Sequence, residues 1–456
     1  MKSLSLSEVS KYSKGKVDEN AKKIIIDSVS TDSRKLKKGS LFVALEGDNF
    51  DGHDYVNEAL ASGASAAMVN KETKIGLESN LPLIKVEDTL VGLQDLARSY
   101  RSSLEVTGIG VTGSNGKTST KDILQSVLNQ SYSVSATEGN YNNHIGVPLT
   151  LLNIEENNEF GVWEMGMSGS GEIAALADIA KPDIGIITNI GIAHIENLGS
   201  RDNIAKEKAG LVLNLPDKGY VVLNADDDYC GFIADQTSAE SITVGIGCGD
   251  VRADVIKYDG FSTTYNLSVE GCNTEVYLPF PGKHMVINSL MAVAVGLREG
   301  MKMEDIKKGL NSANLSSGRL EFREIEGVTF VDDTYNANPD SVIAAMECLS
   351  EMRCAGNKYV VLGFMAELGD DAERYHFDIG VKASRFGVGN ILSVGDGAEF
   401  IQKGAISEGV EKAIHFNDHQ ECALFLKEEL SSGDVVLVKG SRSSAMERIL
   451  TILDKS

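Results

Sequence analysis

The residues best placed to do chemistry lie in one run, Val106-Thr107-Gly108-Ile109-Gly110-Val111-Thr112-Gly113-Ser114-Asn115-Gly116-Lys117-Thr118-Ser119. An apolar β-rich stretch enters a glycine turn there and passes directly into a helical pattern. Gly113, Ser114, Asn115 and Gly116 can bring backbone N–H groups close to an anion, and the following helix adds the positive end of its dipole. Lys117 has the reach for β- and γ-phosphates, and the Thr118 hydroxyl, with Ser119 behind it, is of the type that sits on Mg²⁺. A strict P-loop carries Gly at position 111, where Val111 stands, so this is a shortened form, Gly-x-x-Gly-Lys-Thr. Downstream, Glu164 closes an apolar run, His194 follows another, and Lys206 and Lys208 share the next helical pattern. A carboxylate near Thr118 suits Mg²⁺, which takes hard oxygen ligands. Taken singly, Glu164 reads equally as a turn carboxylate, His194 as a structural histidine and Lys208 as a solvated helix lysine.

The elements that position these groups follow from hydrophobic periodicity. Strands are predicted at 106–112, 160–164, 184–188 and 221–224, with helices at 119–130, 172–180 and 202–213. Ile123, Leu124, Val127 and Leu128 form the buried stripe of the first of these helices. Alternating strands and helices of this kind build a mostly parallel sheet, with ligands at the carboxyl ends of its strands. Before it, to about residue 85, short strands at 41–45 and 66–69 flank a helix at 55–62. Asp88 caps a helix that runs to Arg101. After about residue 319 the alternation resumes, with strands at 329–332, 359–362, 391–394 and 435–438. Asn338-Pro339 marks a helix start there. The expected fold class is α/β in three domains: a small N-terminal α/β unit (1–85), a central P-loop parallel sheet (86–319) and a C-terminal Rossmann-like unit (320–456).

Composition agrees with that size. A chain of 456 residues, 42% hydrophobic and 24% charged, has ample core for about three domains. A formal net charge of −23 argues against nucleic acid as a partner. No signal-like or membrane-spanning apolar run is present, and the six cysteines are scattered without metal-site spacing. These features lead us to expect a cytoplasmic protein with reduced thiols and no membrane association.

The 112–118 loop, together with Glu164, His194 and Ile204-Ala205-Lys206-Glu207-Lys208-Ala209-Gly210, resembles the Mur ligase superfamily, ATP-dependent amide-forming ligases of peptidoglycan precursors. The resemblance covers essentially the whole chain. Gly139–Pro148, Asp332–Pro339 and Met365–Gly369 resemble the members that add D-alanyl-D-alanine. An Asp-Asn-Pro-Arg segment, which marks the tripeptide-building ligase, is absent. Folylpolyglutamate-type ligases share the Lys-Ala-Gly at Lys208 but fit the 140–148 pattern poorly. A non-catalytic P-loop nucleotide binder is the alternative from a different class.

The resemblance implies roles for individual residues. Lys117 clamps the γ-phosphate, Thr118 and Glu164 hold one Mg²⁺, and His194 serves a second. Lys208 reacts with CO₂ to become a carbamate ligand. Asn288, Arg319, Asp333 and Asn336 join residues 113–119 on ATP. Ser33, Arg34, Gly47, Asp51 and His53 resemble a uridine-nucleotide site. Asn140, Asn143, Glu367, Lys439, Ser441 and Arg442 fall to the remaining substrate contacts. Met285 and Phe364 stand where the family usually has Asn and Asp. The implied partners are UDP-N-acetylmuramoyl-tripeptide and D-alanyl-D-alanine, the implied cofactors ATP and Mg²⁺, and the chain is expected to be a monomer.

Overall fold

The computed structural model describes residues 1–47, 49–73 and 81–455. Its centre is a nine-stranded sheet. Seven strands run parallel in the spatial order 134–136, 160–164, 107–112, 184–187, 220–224, 240–246 and 251–259. Two antiparallel strands, Ser262–Val269 and Cys272–Leu278, complete it. The glycine loop leaves Thr107–Thr112, third from the edge and flanked on both sides by parallel neighbours. Its register aligns Val111 with Glu164 and with Ile186. The ends of three strands therefore open at one level, which is where such sheets place ligands.

The helix Lys117–Leu128 covers this sheet through the expected stripe: Ile123, Leu124, Val127 and Leu128 are fully buried. The predicted 202–213 helix ends earlier. It spans Arg201–Ala209, capped by Ser200, and a short 3-10 turn at Val212–Asn214 follows Gly210.

The N-terminal unit holds a five-stranded sheet, 16–17, 83–86, 66–70, 40–43 and 28–30, parallel except for its first strand. Asp88 caps the helix Thr89–Arg101 by accepting from Val91 N, as its sequence predicts. That helix ties the unit to the centre: Tyr100 donates to Ile154 O, and Arg101 lies over the Trp163 ring and 3.0 Å from Asp183. A shared apolar core runs from Leu6 and Val9 through Leu96 to Met165 and Leu176.

The C-terminal sheet has the order 321–325, 328–333, 435–439, 358–363, 390–394 and 412–416, parallel beyond its first hairpin. Asn338 caps the helix Pro339–Glu351 with Pro at its first turn, as the sequence indicates. Among the described residues no helix is long and apolar enough to cross a membrane.

Candidate functional site

The glycine loop is braced before any ligand arrives. Gly116 has φ +80° at the helix N-terminus, and Gly113 has φ +151°. Asn189, just past the neighbouring strand, accepts from Asn115 N through its side chain (3.0 Å) and donates to Asn115 O (3.0 Å). Thr188 Oγ1 donates to the same carbonyl, and Gly191 N donates to Ser114 Oγ at 2.9 Å. A Cβ on Gly113 would stand 1.8 Å from Thr188 Oγ1, in a conformation L-residues rarely adopt. Gly113→Ala is therefore expected to displace Thr188 and open the loop. Calorimetry should show ADP affinity falling at least about tenfold, with thermal unfolding lowered by a few degrees but still cooperative.

At the loop's far side Thr118 Oγ1 donates to Glu164 Oε2 at 2.6 Å, and Asn142 Nδ2 donates to Glu164 Oε1 at 2.8 Å. Lys117 Nζ folds back onto Gly113 O (2.8 Å) and Ser114 O (3.4 Å). Burial lowers the Lys117 pKa, a trend that Glu164 opposes. Lys208 is 1% exposed, whereas Lys206 on the same helix is exposed. The Lys208 amine has one polar contact among the described residues, Met167 Sδ at 3.8 Å. Its neighbour Glu207 is turned away, accepting from Gly171 N and Ile173 N. Burial, reinforced by Lys117, drives the Lys208 pKa far down, so the amine is held toward its neutral form.

The C-terminal unit closes over this group. Asn338 Nδ2 donates to Asn115 Oδ1 at 2.7 Å, and Asp340 accepts from Ile192 N at 3.0 Å. His194 Nδ1 stands 2.6 Å from Glu367 Oε2, which holds the Glu367 carboxyl below its ordinary range. Both residues sit at positive φ, +65° and +63°, so two strained turns meet across the boundary.

The cleft between these units has a volume of about 950 Å³. Ser114–Ser119, Glu164, His194 and Asn288 line it from the centre, Asn140 and Asn143 from the loop before Gly146. From the other side come Arg319, Asp333, Asn336, Glu367, Lys439, Ser441 and Arg442. The structure thus brings together most of the residues that the sequence singled out. Gly113 and Lys208 lie behind the lining. Arg319 packs over the Tyr335 ring at 4.3 Å, and Arg442 pairs with Glu447.

Comparison with known proteins fits this geometry. The model described as Mur ligase family, catalytic domain, matches residues 25–101, the Mur ligase middle domain 111–296, and the Mur ligase glutamate ligase domain 318–442. The UDP-N-acetylmuramoyl-tripeptide--D-alanyl-D-alanine ligase of Bacillus subtilis is 37% identical over 435 residues, covering 95% of this chain and 94% of that one. The chain belongs to the Mur ligase family. A crystal structure of MurF from Acinetobacter baumannii superposes with a TM-score of 0.92 at 32% identity, covering both chains completely. The MurF ligase of Thermotoga maritima in complex with ADP gives 0.84 at 31%, covering 94% of this chain and 97% of that one.

The resemblance to uridine-nucleotide sites reads differently in this Mur ligase. Ser33, Arg34, Gly47, Asp51 and His53 lie outside the cavity lining, in the N-terminal unit. The 3-10 turn Ser33–Lys35 packs against the helix Val56–Ala61 that follows Asp51–His53, so the two segments are neighbours. Gly47 belongs to a small hairpin with Phe50–Asp51, and Asp48 between them lies outside the described residues. Arg34 is exposed and grips Asp32 through Nε and Nη2, holding that carboxyl down at about 2. His53 is 3% exposed, its Nδ1 meets Asp51, and its Nε2 accepts from Asn70 N. Both ring nitrogens are engaged inside the chain, so the side chain braces this turn.

Several contributors escape the sequence reading. Thr188 ends the strand predicted at 184–188 beside the loop strand and Asn189 follows it, and the strand-end rule was the signal that pointed to them. Asn142 lies inside the 139–148 segment, but only the fold shows it bonded to Glu164. His376 had no local signal. Its Nε2 accepts from Met365 N and its ring stacks on Phe364, which shapes the turn carrying Glu367.

Proposed function

We propose that this chain joins D-alanyl-D-alanine to UDP-N-acetylmuramoyl-tripeptide, with ATP converted to ADP and phosphate, in cytoplasmic peptidoglycan precursor synthesis. The observation that supports this most is one cavity lined by a phosphate loop, by Thr118 with Glu164, and by strand-end segments of a second Rossmann-like sheet. The full-length relatives bearing that ligase name support the choice of substrates. On this reading residues 1–85 hold the UDP-sugar, 86–319 hold ATP, and 320–456 present the dipeptide.

The chemistry follows from charge. The tripeptide's terminal carboxylate attacks the γ-phosphorus, giving an acyl phosphate and releasing ADP. The dipeptide amine then attacks the acyl carbon, a tetrahedral intermediate forms, and it collapses to the amide as phosphate leaves and the amine proton is lost. Carboxylate and γ-phosphate repel one another, and Lys117 swings from its carbonyl contacts to neutralise that charge. The loop N–H groups orient the phosphates, and Asn142 and Thr118 fix the Glu164 carboxylate. The contacts of Asn338 and Asp340 with the centre exclude water that would hydrolyse the acyl phosphate.

The donor set fits Mg²⁺. A hydroxyl and a carboxylate lie 2.6 Å apart beside the loop, and among the described residues no group of three or more His, Cys, Asp or Glu side chains is arranged to hold a metal ion by itself. Mg²⁺ typically takes one or two protein carboxylates and completes its shell with water and phosphate. Thr118 and Glu164 would hold one ion, and His194 with carbamylated Lys208 a second. When bound, the ions neutralise phosphate charge as Lewis acids.

Phosphate release with the UDP-precursor fixed and the amine varied tests the assignment. Release should depend on D-alanyl-D-alanine, with diamino acids and glutamate giving less than about a hundredth of that rate. Release with a diamino acid would move the chain to the tripeptide-building ligases. ADP binding with no amine-dependent release would leave only a nucleotide binder.

A further inference from the structure

Lys439 resembles a substrate contact in the sequence, yet its surroundings in the fold point elsewhere. It ends the strand Val435–Lys439, paired in register with Asp333 at the end of the parallel neighbour Val328–Asp333. The side chain is 3% exposed, and its ammonium reaches three acceptors: Asp333 Oδ2 at 2.5 Å, Asn336 O at 3.0 Å and Asp333 O at 3.5 Å. An ammonium has three hydrogens, so no donor remains for an incoming ligand.

The carboxylate that Lys439 holds is itself bridging. Asp333 Oδ1 accepts from Leu320 N at 3.3 Å, directly after Arg319 in the connector between the central and C-terminal sheets. Arg319 in turn lies over Tyr335, within the Asp333–Asn336 segment. Beyond Lys439 the chain enters the 440–443 turn, where Ser441 N donates to Phe364 O at 3.0 Å. Lys439 therefore stands where the 333–336 segment, assigned to the nucleotide on the ligase reading, meets the connector carrying Arg319 and the 440–443 turn, assigned on that reading to the second substrate.

We infer that Lys439 is a positioning residue for the nucleotide, acting through Asp333 and Asn336, and does not bind the second substrate. This deepens the ligase reading, on which its kinetic arm rests. Its ADP-binding arm requires only a nucleotide site.

The test compares Lys439→Met with Lys439→Arg and with Lys439→Met in an Asp333→Asn background. ADP affinity is read by calorimetry, and KM for ATP and for D-alanyl-D-alanine by phosphate release. Lys439→Met should weaken ADP and raise KM for ATP by about 10- to 100-fold, the loss typical of a buried charged hydrogen bond. KM for the dipeptide should stay within about twofold, and Lys439→Arg, which keeps the charge, should recover most of the ADP affinity. Once Asp333 is Asn, adding Lys439→Met should cost clearly less than it does in the parent, because only the Asp333 and Asn336 carbonyl contacts remain to be lost. That pair also carries the test if Lys439→Met alone fails to fold, since it leaves no unpaired buried carboxylate. A rise in dipeptide KM with ADP affinity unchanged would overturn the assignment. Full additivity of the two substitutions would overturn it as well. Normal ADP binding by the parent protein without any ligation would instead count against the ligase reading alone.

Discussion

Lys117→Ala is expected to lower ligation by about 100- to 1000-fold, the usual loss when one charge-stabilising donor is removed from a transition state. The fold should survive. Among the described residues, the hydrogen bonds of Lys117 Nζ go to the carbonyls of Gly113 and Ser114, while Asn189 and Thr188 hold the loop independently. Its pKa is already lowered by burial, so removing it relieves a desolvated cation and leaves the sheet's core untouched. Product formation followed by chromatography, alongside thermal unfolding, reads both halves of the expectation. Ligation at the parent rate would remove Lys117 from the γ-phosphate. A collapse of the unfolding transition would show instead that the loop depends on the two carbonyl bonds.

Most of the fold was legible because its defining signals are local. The run 106–112 followed by Gly113–Thr118 is strand, turn and helix in every register, and its apolar stripe at 123–128 points one way. Asn338-Pro339 carries its own start signal, and the structure places that cap where the sequence does. The strands at 240–246, 251–259, 262–269 and 272–278 were missed. They are half-buried strands, not continuous apolar runs. Thr263, Tyr265 and Leu267 face inward, with less buried residues between them. That alternation was the available signal. A register shift between Asp254 and Lys257, with Val255 at φ +51°, breaks it in the preceding strand.

The site divides along the same line. Lys117, Thr118 and Glu164 were legible because strand-end placement and residue type agree. The contacts that tie the loop to the C-terminal unit were not. Asn115 with Asn338 and His194 with Glu367 join residues over 170 positions apart. Their residue types alone say only turn or cap. His53 shows what residue type alone leaves out. A histidine after Asp-Gly resembles a ligand contact, and only the fold shows it buried with both ring nitrogens bonded internally. Lys439 differs in kind, because its three acceptors come from the end of a neighbouring strand and the loop after it, which only the register of the sheet brings alongside.

Lys208→Met is expected to cut turnover by about 100- to 1000-fold while leaving the protein folded, because Met replaces a buried, weakly partnered amine with an apolar chain of similar length. The argument rests on what surrounds the amine. Burial and then the like charge of Lys117 push its pKa down against a smaller opposing pull from Glu207, which is bonded to Gly171 and Ile173, so the neutral form is favoured. A neutral amine can attack CO₂: the N–C bond forms, a proton is released, and on this proposal the amine would become a carboxylate-like oxygen donor. Two measurements separate this from a packing role. Supplying ¹³C-labelled bicarbonate should give a carbamate carbon resonance in the parent protein and none in Lys208→Met. Stripping CO₂ from the buffer should lower the parent's turnover, and bicarbonate should restore it. Full activity in Lys208→Met, or a parent indifferent to CO₂ with no labelled carbon, would confine Lys208 to packing and leave Thr118 and Glu164 as the proposed oxygen ligands beside the loop.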